Sequence, residues 1–589
     1  MFLTVHGLNA IARMRLINTE TLDLAEFFEA ELPRYAILSH TWEKEEVSFQ
    51  LMTKRPPEIS LKKGYQKIVE ACRLARADEL LWIWVDTCCI DKTSSAELTE
   101  SINSMYHWYG QADVCYVFLS DLRRDGNWAE SLPHCRWFTR GWTLQELIAP
   151  TTVEFYDQTW QKIGTKNQDS LGQKLAGITG IRSTILLGTE ALDSCCIAER
   201  MSWASKRKTT RTEDEAYSLL GIFDVNMPLI YGEGRKAFRR LQEEIIRRTN
   251  SLTIFAWQDE SQAEWRPTLF ASSPASFRFH VEQAINKRTT YETILSSIEY
   301  SLTNNGLRMD GVLSKLANIR DLNKGVEGAP VGQSYFLKLG TLWASKEPNP
   351  PRPFTVGIVL EKIGPAKFIR GKKQLTVLSW KEFHDAPQTS RHIYYVLVDK
   401  GSLTPSTITS MLENIDLSSK LSALPFRVSR AIPEGSWDEA RLVFFNRWDE
   451  VLLASLVVTT ILDVDLDFLF LFKSVPWTIS CYIIVPHDHP KVAAWFIREK
   501  HAREPQPWSE FIFSIGEDEL PPLSDSVEVM VKGDPYCITV GMVAKSDVVL
   551  SNALGHFSSH GGSQQHHVCL TATRIFGHDG KLTLGLRNQ

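Results

Sequence analysis

Between residues 35 and 157 four short apolar runs recur, and each closes on a polar group. Tyr35-Ala-Ile-Leu-Ser39 ends at His40, Leu81-Trp-Ile-Trp-Val85 at Asp86, Val114-Cys-Tyr-Val-Phe-Leu-Ser120 at Asp121, and Thr152-Val-Glu-Phe-Tyr156 at Asp157. The first three lack polar alternation, the pattern of strands covered on both faces, and the fourth reads as a further strand. Helical patterns separate them. Leu61, Tyr65, Ile68, Val69, Cys72 and Ala75 form one buried stripe with Lys and Arg between them. Ser94 and Glu97 have the spacing of a capping box, and the helix they would open carries Leu98, Ile102, Met105, Tyr106 and Tyr109 on one face. Strand alternating with helix is the signature of a parallel α/β sheet, whose ligands bind at the carboxyl ends of the strands. That rule collects Ser39, His40, Asp86 and Asp121 on one edge.

The helix before the fourth strand carries most of the remaining chemistry. In Trp137-Phe-Thr-Arg-Gly-Trp-Thr-Leu-Gln-Glu-Leu-Ile-Ala-Pro150, Trp142 and Glu146 are four apart and share a helical face. Leu144, Leu147 and Ile148 supply an apolar side, and Pro150 stops the helix because it has no N–H to donate. Glu146 therefore lies beside a large aromatic with Arg140 near. Two readings stand at this point: a structural ion pair, or a partly dry carboxylate at the ligand-binding edge.

The chain has 589 residues, more than one hydrophobic core organises, so two to four domains are expected. Residues 1–13 read as a disordered leader, 14–160 as the α/β domain, 161–260 as a helical segment, and 261–589 as a β-rich region of one or two units. In the helical segment Ala237, Phe238, Leu241 and Ile245 mark the buried side of a helix from Arg235 to Thr249, and the basic run Lys206–Arg211 reads as a solvated face. In the last region Tyr335–Leu339, Phe354–Val359, His392–Val398, Ile479–Val485 and Ser526–Val531 are β-branched and aromatic strand patterns between turn-rich breaks.

A net charge of −5 leaves no nucleic-acid footprint in the total. The most hydrophobic window, Val451–Phe472, contains Asp463, Asp465 and Asp467, which suits two strands and makes a membrane span very costly. Ten cysteines without a CxxC pair read as reduced, buried thiols of a cytoplasmic protein, with no metal site expected. His556, His560, His566 and His567 read as part of a polar loop.

The blocks Tyr35–Trp42, Val85–Lys92 and Arg140–Pro150 resemble the three signature blocks of the heterokaryon incompatibility (HET) domain of filamentous fungi. Met201-Ser-Trp-Ala204, Thr210–Gly234 and Ile254–Trp257 resemble the segment that follows that domain, so the likeness runs over residues 14–260. It implies a cell-death effector in non-self recognition that self-associates through the HET domain, with the C-terminal region free to meet a protein partner. A more distant resemblance joins Tyr35–Ser39 and Trp142–Glu146 to Toll/interleukin-1 receptor (TIR) domains, and implies a TIR-like or flavodoxin-like sheet. In enzymatic members that glutamate cleaves NAD⁺. This resemblance implies Glu146 as catalytic residue, with Ser39, His40, Trp42, Asp86, Arg140 and Trp142 around the substrate and no bound cofactor. His40-Thr-Trp42 departs from the TIR pattern after the first strand. The competing expectation is a non-enzymatic oligomerising adaptor. A third is a thiol hydrolase built on Cys88 or Cys89 with His40.

Overall fold

In the computed structural model the described residues are 13–123, 128–259, 268–278, 290–292, most of 299–398, and a series of strand segments from Asn414 to Arg574. The chain forms two compact units, one made mainly of residues up to Gln262 and the other mainly of Ile298–Lys338 and Gly357–Gln589.

The first unit is organised on a seven-stranded sheet of order β2-β1-β4-β3-β5-β6-β7. Its strands are β1 (Arg13–Asn18), β2 (Leu24–Phe28), β3 (Tyr35–His40), β4 (Trp82–Val85), β5 (Val114–Phe118), β6 (Val153–Tyr156) and β7 (Lys162–Thr165). The four expected strands are all present, and β4-β3-β5-β6 pair in parallel. The sheet as a whole is mixed, because a β1–β2 hairpin adds antiparallel to β4 and β7 adds antiparallel to β6. Those outer strands escaped the sequence reading for a physical reason. Edge strands are half-solvated, so β2 and β7 carry exposed and intermediate residues where a central strand is continuously apolar. The first element opens at Arg13, one residue inside the expected leader, and residues 1–12 lie outside the described residues.

Helix α1 (Lys63–Ala77) buries Ile68, Ala71, Cys72 and Ala75, and α2 (Ser95–Gln111) buries Ile102, Met105, Trp108 and Tyr109. Trp84 of β4 packs edge-on against Trp108 and Tyr109 with ring centroids 5.9 and 5.8 Å apart, and this aromatic cluster fills the core under α2. Gly64 lets α1 approach the preceding loop, since a Cβ there would sit 2.5 Å from the Glu45 carbonyl oxygen. At the start of α2 the Ser94 hydroxyl accepts from the Glu97 N–H at 3.4 Å. The Glu97 carboxylate does not close the expected box. It pairs with Arg15 of β1 and accepts from the Asp91 N–H, tying α2 to the hairpin.

Helix α3 (Thr143–Ile148) precedes β6, and its end at Ala149-Pro150 is where proline predicts it. Beyond β7, α4 (Ile197–Ala204) and α5 (Lys236–Arg248) belong to the same compact unit as the sheet. The latter buries Ala237, Phe238, Leu241 and Ile245 as the pattern requires.

Among the described residues the strand-rich region contains sheets of nine, six and four strands. Each quoted strand pattern overlaps a strand, Ser334–Trp343, Phe354–Gly364, His392–Val396, Thr478–Ile484 or Ser526–Val531, with the third pattern running two residues past the strand's end. The apolar window is an antiparallel pair, Leu452–Thr459 with Asp465–Val475, while Asp463 lies outside the described residues. Among the described residues no helix is long and apolar enough to cross a membrane. The polar-loop reading of the histidines is corrected in part: His566 and His567 belong to a strand, Gln565–Arg574, opposite Ala544 and Val543. His556 and His560 lie outside the described residues.

Candidate functional site

The carboxyl end of β3 supplies two adjacent polar residues, and in a strand adjacent side chains point to opposite faces. Ser39 therefore meets α3, while His40 meets α1. Leu38 pairs with Val85 across the β3–β4 ladder, so Asp86 emerges beside them at the same end of the sheet.

On the first face Glu146 is nearly closed off from solvent, with 8% of its surface exposed. Its Oε2 accepts from Ser39 Oγ at 2.5 Å, and Ser39 Oγ in turn accepts from the Trp137 indole N–H at 2.8 Å. Burial pushes the Glu146 carboxyl up to about 8, and nearby Asp86 adds to this, against the lowering effect of the Ser39 hydrogen bond and of Arg140 and Arg207. Tyr109 and Cys115 line the same place. Burial and the neighbouring Glu146 hold both well above their ordinary values, so phenol and thiol stay neutral.

On the second face the contacts form a chain. His40 Nε2 lies 3.1 Å from Asp86 Oδ1, the Trp42 indole N–H donates to Asp86 Oδ2 at 2.8 Å, and Lys67 Nζ sits 2.8 Å from His40 Nδ1 and 2.6 Å from Glu46 Oε1. Burial alone would raise Asp86, but the hydrogen bonds from His40 and Trp42 and the Lys92 ammonium outweigh it and hold the carboxylate below its ordinary value. Trp42 is 46% exposed, with the Lys92 ammonium 3.6 Å from its ring centroid.

The remaining expected residues stand at one remove. The Trp142 indole hydrogen-bonds Asp214, which also accepts from Tyr231 at 3.1 Å, so Trp142 anchors the following segment. Trp137 is the tryptophan that reaches Glu146, through Ser39. The Arg140 guanidinium donates to Thr210 at 3.3 Å. Asp121 shares the sheet edge but accepts from the Arg136 backbone N–H at 2.9 Å, and joins neither cluster.

Lys67, Glu46, Lys92, Trp137 and Arg207 were not picked out from the sequence. Lys67 lay next to the apolar stripe of α1 as one of its interspersed cations, and nothing in the spacing marks it as the buried one. The reading of Lys206–Arg211 as a solvated face needs correcting at Arg207. Its guanidinium turns inward and donates to Thr143 Oγ1 at 2.7 Å and to the Arg140 carbonyl at 2.9 Å. Burial lowers it to about 10 and nearby Glu146 opposes that fall, so Arg207 is a counter-charge supplied from outside the sheet. Gly141 makes this approach possible: its N–H donates to the Lys208 carbonyl at 2.9 Å, and a Cβ would fall 2.5 Å from Thr209 Cγ2.

The geometry weighs against a thiol nucleophile. Hydrogen bonding with Cys89 and burial hold the Cys88 thiol well above its ordinary value. Both ring nitrogens of His40 are engaged by Lys67 and Asp86. The seven cysteines from Cys72 to Cys196 are buried and free.

Residues 35–126 match the family model described as heterokaryon incompatibility protein (HET), and residues 236–264 match a domain of unknown function, DUF8212. The chain thus carries a fungal HET domain. Over 225 residues it is 49% identical to vegetative incompatibility protein HET-E-1 of Podospora anserina, a match that covers 36% of this chain. It spans only 16% of that relative's length. No solved structure matches the chain.

Proposed function

We propose that this chain acts in vegetative incompatibility as a cytoplasmic cell-death effector, and that its first unit cleaves NAD⁺ at the edge formed by Ser39, Asp86 and Glu146. The observation that carries the reading is Glu146 itself, a buried carboxylate fixed by Ser39 and Trp137 at the carboxyl end of a central parallel strand.

The chemistry suits one buried carboxylate. Nicotinamide leaves as a neutral group when the bond between C1′ and the pyridinium nitrogen breaks and its electron pair returns to the ring, so no general acid is required. Positive charge develops on the ribose and is met by ionised Glu146. Water then bonds to C1′ and loses a proton, giving ADP-ribose. The raised carboxyl responds to such a substrate: a pyridinium or oxocarbenium charge alongside it favours ionisation, as Arg207 and Arg140 already do. In this reading Arg140, released from Thr210, meets a phosphate and the exposed Trp42 forms a wall. Self-association through the HET domain would bring sites together, and the strand-rich region would meet the protein partner that triggers it.

The alternative, a non-enzymatic oligomerising adaptor, is favoured by the low exposure of Glu146 and its satisfied bond to Ser39, which a structural residue would also show. Purified protein incubated with NAD⁺ under conditions that promote oligomers distinguishes them by nicotinamide release. Glu146→Gln is expected to lower the rate by about 10²–10³ with an unchanged circular dichroism spectrum. Release that survives the substitution removes Glu146 from the mechanism, and folded oligomers that release nothing favour the adaptor.

A further inference from the structure

The second cluster holds a buried lysine that the reaction above does not use. The Lys67 side chain is only 6% exposed, sits about one turn into α1, and is shared between Glu46 and His40. An ammonium has donors and no acceptor, so the 2.8 Å contact obliges His40 Nδ1 to be the accepting nitrogen. The ring then carries its proton on Nε2 and donates it to Asp86 Oδ1 at 3.1 Å. With Trp42 donating to Oδ2, each oxygen of Asp86 has one donor and keeps a free lone pair. The Asp86 side chain is 21% exposed, so those lone pairs can reach a ligand.

We propose that Lys67 is a positioning residue. By fixing the His40 proton on Nε2 it locks the Asp86 carboxylate at the sheet edge as an acceptor for hydroxyl groups of a bound ligand, a vicinal diol being the match for two parallel lone pairs. The relay runs Glu46–Lys67–His40–Asp86, with Trp42 as the second clamp. Its link to NAD⁺, whose riboses carry such diols, rests on the function proposed above. The tautomer itself does not.

The test has two arms. In ¹⁵N-histidine NMR of the wild-type chain, His40 is expected as the neutral Nε2–H tautomer with an accepting Nδ1. Lys67→Met should convert it to a mixture or to the other tautomer, and Lys67→Arg should restore it. In the second arm, Lys67→Met is expected to raise the KM for NAD⁺ about tenfold, the effect of one mis-set charge-assisted hydrogen bond, with kcat changed far less. Asp86→Asn should raise it likewise, and the pair together no further. A wild-type His40 protonated on Nδ1 overturns the proposal, as does Lys67→Met with an unchanged His40 spectrum. If Lys67→Met fails to fold because Glu46 is stranded, the Lys67→Met/Glu46→Gln chain removes both charges together, and the wild-type spectrum still decides. If no form of the protein releases nicotinamide, the NAD⁺ reading falls and the NMR arm judges the relay alone.

Discussion

Replacing Glu146 with glutamine should stabilise the first unit, by an amount that depends on pH. Raising this carboxyl from its ordinary 4.5 to about 8 corresponds to roughly 5 kcal/mol at about 1.36 kcal/mol per pKa unit. The direction follows from proton binding. Below pH 4.5 the side chain is protonated in folded and unfolded chains alike, and burial carries no ionisation cost. Between 4.5 and about 8 the unfolded chain releases a proton that the folded chain must keep, so stability falls as pH rises. Above about 8 the folded carboxylate is charged in a dry place and the full cost is present. Glutamine has the same shape, can accept from Ser39 through its carbonyl oxygen, and never ionises.

Hydrogen exchange of the peptide that contains Tyr35–His40 measures this directly, because both proteins have the same intrinsic exchange chemistry at a given pH. In Glu146→Gln this peptide should exchange about 10²–10³-fold more slowly than wild type at pH 8, the equivalent of roughly 3–4 kcal/mol once local relaxation is allowed for. The two should coincide at pH 4.5. A ratio that does not vary with pH would refute the linkage. Faster exchange in the variant at pH 8 would mean that Glu146 is an ionised structural partner of Arg207 and Arg140, with its pKa lowered and not raised. An active site that keeps a destabilising carboxylate holds it against its own stability, whereas a structural ion pair has no cause to.

Three further outcomes follow from the same geometry. If ionised Glu146 is required, kcat/KM for NAD⁺ should climb about tenfold per pH unit up to about 8 and then level off, and Ser39→Ala, which removes a lowering hydrogen bond, should move that break to higher pH. Arg207→Met removes both the donor to Thr143 and a positive charge near Glu146, and should move the break the same way while lowering stability by about 1–3 kcal/mol, read by urea unfolding. Gly64→Ala places a methyl 2.5 Å from the Glu45 carbonyl and 2.8 Å from Glu46 Cα, so it should cost about 1–3 kcal/mol and, by shifting the loop that carries Glu46, disturb the His40 NMR signals as well.

The central sheet was legible because its strands are buried on both faces, which writes continuous apolar runs such as Tyr35–Ser39 into the chain. The carboxyl-edge rule gathered Ser39, His40, Asp86 and Asp121 at one edge without knowledge of any contact; the register Leu38↔Val85 sets the first three side by side, while Asp121 turns to Arg136. What stayed hidden was decided by tertiary contact. Period alone made Trp142 and Glu146 partners on one helical face, yet Trp142 occupies the cap position of a six-residue helix and turns to Asp214, while Trp137 reaches Glu146 through a serine on a different strand. Lys67 and Arg207 look like solvated cations in sequence, and only packing distinguishes them from Lys206 and Lys208, which remain exposed. Both buried cations do for their clusters what local sequence cannot: Lys67 orients His40 from the neighbouring helix, and Arg207 brings positive charge to α3 from residues beyond the sheet. Glu146 itself lies beyond the matched span 35–126, and its charge balance depends on residues further along still, so a truncation meant to test it should retain the chain at least through Arg207.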